Sequence, residues 1–110
     1  YEENLSMICD SVNRLGLRIA FQSLDPVDEQ RTMPCSWGPY YWSNERVRIF
    51  NDSLKDFSDQ RDIPFNNMFE KMLALDDFPS YMFDGAHPNT RGHLYMYQEI
   101  MPFIDGLLAE

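Results

Sequence analysis

Asp84 and His87, three residues apart, carry the strongest chemical signal in the chain. They open the segment Asp84-Gly85-Ala86-His87-Pro88-Asn89-Thr90-Arg91-Gly92-His93. At that spacing one tight turn can hold a carboxylate against an imidazole. The carboxylate then fixes the ring's tautomer and stabilises its charged form, which is what the base of a hydrolase needs. A turn position also leaves the His87 ring free to project from its scaffold. The competing role is structural: Asn89 or Thr90 can cap a following helix whether or not His87 does chemistry. His93, one residue after Gly92, reads as a packing or surface residue in the first turn of that helix. Asp84, His87 and His93 match no common zinc spacing, and no cysteine or further carboxylate is placed to complete a site. Neither a metal nor a cofactor is expected.

The elements that must position this turn alternate along the chain. Leu5, Ile8, Val12 and Leu15 recur at helical spacing, and Gly16 follows as a stop. Leu17–Leu24 reads as a buried strand ended by Asp25-Pro26. Val47, Phe50, Leu54 and Phe57 mark a second helix, with Asn44 or Ser43 as its cap. Ile63-Pro64-Phe65 is a short apolar stretch in which Pro64 favours a strand end or edge. Met68 to Leu75 predicts a short helix. Leu94, Tyr97, Met101, Ile104 and Leu108 line the last helix, where Pro102 bends the backbone or removes one hydrogen bond. This order predicts an α/β layer with a mainly parallel sheet, the Leu17–Leu24 strand ending toward His87. Two strands are few for a sheet covered on both faces. The periodicity therefore points to further strands, most simply the first ones of a flavodoxin-like sheet.

With its flanks included, the Asp84–His93 segment resembles the last block of the SGNH/GDSL hydrolases, a family of serine esterases and lipases. Those flanks are Phe83 before it, Pro88-Asn89 and Gly92-His93 toward its end, and an apolar helix beyond. The resemblance extends more loosely over nearly the whole chain, through Leu17–Leu24, Asp25-Pro26-Val27, Arg48-Ile49-Phe50-Asn51 and Ile63-Pro64-Phe65. It implies that residues 1–110 are the C-terminal part of one flavodoxin-like, three-layer α/β/α domain. It also implies Asp84 and His87 as catalytic acid and base. The family's nucleophilic serine lies in a Gly-Asp-Ser-type block near the start of the domain, and no such block occurs here. The family's oxyanion-hole glycine and asparagine have no match either. Ser6, Ser11, Ser23, Ser36, Ser43, Ser53, Ser58 and Ser80 stand in no nucleophile context. The expectation is thus an Asp–His pair that needs the upstream segment of the same domain as its partner and is inactive alone. The substrate class would be a small-molecule, carbohydrate or lipid ester. The alternative is a non-catalytic interaction module whose amphipathic helices dock onto a partner protein, with the Asp–His turn a relic or a cap.

Ligands bind beyond the C-terminal ends of parallel strands, so the long loop Asp25–Ser43 leaves its strand on the functional side. It holds Trp37, Tyr40, Tyr41 and Trp42 beside Pro34, Gly38 and Pro39. These rings either wall a substrate subsite for an acyl chain or sugar, or seal the loop onto the body. Net charge −9 argues against nucleic acid or an anionic membrane surface as the main partner. No apolar run approaches the length of a membrane span. Cys9 and Cys35 lack CxxC spacing and are expected as free thiols.

Overall fold

A computed structural model describes residues 1–109. The first helix, α1 (Glu2–Arg14), turns Leu5 and Cys9 inward and ends where Gly16 adopts φ +69°, a conformation that strains other residues. There the Gly16 amide donates to Asn13 O at 3.0 Å and the Leu17 amide to Val12 O at 3.1 Å, closing the helix end.

The expected strand Leu17–Leu24 shortens to β1, Phe21–Gln22, and its ends are not buried: Leu17 is 59% and Leu24 52% exposed. The reason lies in its partner. Strand β2 (Phe65–Asn66) pairs with β1 in parallel, Phe21 opposite Phe65 and Gln22 opposite Asn66. Pro64 accepts from the Phe21 amide at 2.9 Å but has no N–H to return, and Asn67 already caps the next helix. The ladder has nowhere to extend. The result is a helix-rich α/β arrangement with a two-stranded parallel sheet.

Helix α2 (Glu29–Thr32) is a short turn inside the long loop, capped by Asp28, and the sequence pattern gave no sign of it. Helix α3 (Asn44–Gln60) starts at Ser43, whose hydroxyl accepts from the Arg46 amide at 3.2 Å. Its buried face is Val47, Asn51, Leu54, Phe57 and Ser58. Phe50, expected in that stripe, is exposed and meets Tyr1 edge to face instead. Asn51 takes the inward place because a backbone end needs it, as described below. Helix α4 (Met68–Leu73) stops before the expected Leu75 and is followed by a 3-10 turn at Phe78–Tyr81.

Two cores result. Leu5 and Cys9 of α1 and Leu54 and Phe57 of α3 pack with the sheet residues Phe21 and Phe65. Met68 and Met72 of α4 pack with Phe78, Met82, and Tyr95, Met96 and Ile100 of the last helix.

That helix, α5 (Thr90–Leu108), contains Pro102 and buries a different face from the one expected. Leu94, Tyr97 and Leu108 are exposed; Gly92, Tyr95, Met96 and Ile100 face inward. Gly92 sets this rotation. A Cβ there would stand 2.3 Å from the Tyr81 carbonyl oxygen and 2.9 Å from the Pro88 Cβ, so only glycine lets the first turn reach the 3-10 turn. Residues three, four and eight positions on then share its face. Of the apolar stripe read from the sequence, Leu94, Tyr97 and Leu108 are left open, while Met101 and Ile104 are half-buried. We expect Gly92→Ala to destabilise the fold by about 2 kcal/mol or more, since backbone rather than a flexible side chain must move. Urea unfolding at neutral pH measures this.

Candidate active site

The site is assembled at the C-terminal end of β1, where side chains take over from the sheet ladder. Asn51 holds both polar groups of Leu24: the Leu24 amide donates to Asn51 Oδ1 at 2.8 Å, and Asn51 Nδ2 donates to Leu24 O at 3.2 Å. Asn44 does the same for Val27, at 2.7 and 2.9 Å. The chain leaving β1 is thereby fixed to α3. A backbone bond then crosses to the acid–base turn, from the Asp28 amide to Gly85 O at 2.9 Å.

The turn is built around the Asp84 carboxylate. Oδ1 accepts from the Ala86 amide at 2.9 Å and the His87 amide at 2.8 Å, while Oδ2 lies 2.7 Å from His87 Nδ1. The Phe83 amide closes the loop onto His87 O at 2.7 Å. Aspartate forms such turns because its short side chain reaches amides two and three residues on. Gly85 supplies the required φ of +96°. Partial burial is the largest single influence on Asp84 and pushes its carboxyl up. The two backbone amides, the His87 ring hydrogen bond and the ring's charge together outweigh it and hold the carboxyl below its ordinary value. With Asp84 ionised, Nδ1 is the ring nitrogen that carries the proton, leaving the Nε2 lone pair outward. The His87 side chain is 70% exposed, and its ring lies 6.0 Å from that of Trp37.

Beside His87 lies an open cavity of about 400 Å³, lined among others by Leu24, Asp25, Trp37, Tyr40 and Trp42. Trp37, Tyr40 and Trp42 therefore share one wall with His87. Tyr41 does not. Its neighbours are paired, Tyr40 O accepting from the Cys35 amide and the Trp42 amide donating to Thr32 O, so alternation turns the Tyr41 ring away. Gly38 matters here: a Cβ would sit 2.7 Å from the Tyr40 ring, which lies over the glycine backbone. Asp25, read from sequence only as the end of a strand, also lines the cavity. Burial pushes its carboxyl up, partly offset by the charge of His93. A larger cavity of about 540 Å³ opens beyond the other end of the sheet, between Arg18, Arg61, Ile104 and Leu108, and no histidine lines it.

Among the described residues no serine hydroxyl bonds the His87 ring; Ser23, for example, accepts from the Phe69 amide, and Ser58 and Ser80 donate to carbonyls. Nor do three histidine, cysteine or carboxylate side chains come together there as a metal site would need. Cys9 and Cys35 are free and buried. Among the described residues no helix is long and apolar enough to cross a membrane.

Neither a protein-family model nor a curated protein matches this chain. Solved structures do resemble it. A GDSL-like lipase from Bacteroides thetaiotaomicron superposes with a TM-score of 0.75 at 19% identity, over 96% of this chain and 51% of that one. A protein provisionally assigned as an acylhydrolase from Bacteroides fragilis gives 0.77 at 20% identity, over 96% and 50%. The chain spans about half the length of each. At these identities the likeness establishes the fold, a helix-rich α/β arrangement similar to that of a GDSL-like hydrolase.

The Asp84 hydrogen bonds generate a pH prediction. A carboxyl held below the ordinary 3.8 stabilises the fold fully above that value, and the contribution fades as pH falls through the lower, folded one. Asp84→Asn should therefore lower stability by roughly 1–2 kcal/mol at neutral pH. The gap to the unaltered protein should narrow below pH 3.8. Urea midpoints measured across that range check the sign.

Proposed function

We propose that this chain supplies the acid–base pair of a serine ester hydrolase, as the C-terminal part of a larger domain. The observation that carries the reading is the 2.7 Å contact between Asp84 Oδ2 and His87 Nδ1, with the far side of the ring open beside an aromatic cavity at the end of a parallel strand. The fold likeness to a GDSL-like lipase supports it, as does the span of only half that protein's length.

In this reading a serine from a segment outside residues 1–110 presents its hydroxyl to His87 Nε2. The ring takes the proton as the serine oxygen attacks the ester carbonyl. Asp84 stabilises the imidazolium that forms and keeps the proton on Nδ1. Donors from the same outside segment hold the oxyanion, and His87 passes its proton to the departing alcohol. Water, activated by the same nitrogen, then releases the acid. Trp37, Tyr40 and Trp42 would flank the acyl or alcohol part of the substrate, whether a lipid or a carbohydrate ester. No cofactor is required.

The open flank of β1 and the exposed stripe of α5 fit the same reading, because additional strands and helices would cover them. They would equally suit a docking partner, and activity separates the two. We expect residues 1–110 alone to show no hydrolysis of a chromogenic short-chain ester, and to self-associate through the uncovered surfaces. The protein with its remaining domain should turn over the ester. His87→Ala should lower kcat by roughly a thousandfold or more while leaving the fold intact. Near-normal turnover by that variant would remove His87 from the mechanism.

A further inference from the structure

Arg31 is not part of the turn, yet its guanidinium reaches the whole segment leading into it. Nε lies 2.6 Å from the Asp28 carboxylate, Nη1 donates to Phe83 O at 3.2 Å, and Nη2 donates to Pro79 O at 2.7 Å and Met82 O at 3.2 Å. Asn89 takes the two carbonyls between, through its side chain to Ser80 O at 2.8 Å and its amide to Tyr81 O at 3.0 Å. Every carbonyl from 79 to 83, the approach to Asp84, is thus held by one of two residues. Asn89 belongs to the turn's own helix. Arg31 belongs to the chain leaving β1, so it alone of the two ties this approach to the strand end.

The same stretch presses on the turn directly. The Asp28 amide donates to Gly85 O at 2.9 Å. A Cβ on Gly85 would stand 2.8 Å from Thr32 Cγ2 and 2.9 Å from Arg31 Cβ. Asp28 is buried, and its carboxylate fixes the guanidinium plane while its amide fixes Gly85. A planar fork with five donors can satisfy acceptors in several directions at once; a lysine offers a single nitrogen.

We propose that Arg31 is a positioning residue, holding the Pro79–Phe83 backbone against Asp28 so that the Asp84–His87 pair stands over the cavity at the end of β1. Arg31 touches no reacting atom. Its effect is on where His87 Nε2 points, and a displacement of about 1 Å in such a pair is enough to cost a hundredfold in rate.

The kinetic consequence rests on the hydrolase reading; the geometric one does not. The experiment uses the natural full-length protein with two readouts: ester kinetics, and the low-field NMR signal of the His87 Nδ1 proton shared with Asp84. We expect Arg31→Met to lower kcat roughly tenfold to a hundredfold with little change in KM, and to shift or broaden that signal while helical circular dichroism is retained. Arg31→Lys should recover only part of both. Arg31→Lys, which keeps a cation beside Asp28 without the planar fork, keeps the test available if Arg31→Met does not fold. Lys55→Met, on the exposed face of α3, should change neither. An unchanged His87 signal in Arg31→Met, or in Arg31→Lys where Arg31→Met does not fold, would overturn the proposal. If the unaltered protein shows the signal but hydrolyses no ester, the hydrolase reading fails, and the signal alone still decides the role of Arg31.

Discussion

Backbone amides and carbonyls must be satisfied wherever they are removed from water. In this chain the sheet is too short to do it. The ladder ends at Gln22 and Asn66, and from there side chains complete the pairing. Asn51 and Asn44 each offer an acceptor and a donor in the geometry of a peptide group, and they hold Leu24 and Val27 as a neighbouring strand would. Asn89 and Arg31 do the same for the carbonyls before Asp84. The acid–base turn therefore stands on a frame of side-chain hydrogen bonds. Where such a group is shielded from water, loss of its partner costs about 1–3 kcal/mol.

Electrostatics separates the two carboxylates near the cavity. Asp84 is surrounded by donors, which favour its charged form despite partial burial. Asp25 is half-buried, and among the described residues no comparable set of donors surrounds it, so burial dominates and raises its carboxyl above the ordinary value. Such a division moves the two carboxyls to opposite sides of the ordinary value. It also makes the two contribute to stability with opposite sign at neutral pH.

Much of this was legible in the residue pattern because it is local. The Asp84–His87 turn needs only residues 83 to 89 and a glycine able to take positive φ, and the cap at Asn89 is read from the same letters. The loop Asp25–Ser43 followed from its length and composition, and three of its four singled-out aromatics share the cavity wall. What depends on distant contacts was not legible. Phe50 and Asn51 are adjacent on α3, and hydrophobicity alone favours burying the phenylalanine; the unpaired Leu24 backbone decides otherwise. The face of α5 is likewise fixed by the fit of Gly92 under Tyr81, which no periodicity reveals. Arg31 and Asp25 lacked any signal beyond their place just after a strand, the side of a parallel sheet where ligands bind.

The role proposed for His87 is that of base toward a serine held by another part of the same domain. The most direct measurement is the labelling rate of the natural full-length protein by a fluorophosphonate, which is captured only by a serine whose hydroxyl is being activated. Mass spectrometry then identifies the residue. One labelled serine is expected, outside residues 1–110, and its labelling should slow at least about a hundredfold in His87→Ala. Labelling that proceeds at the same rate without the His87 imidazole, or no labelled serine at all, would contradict it.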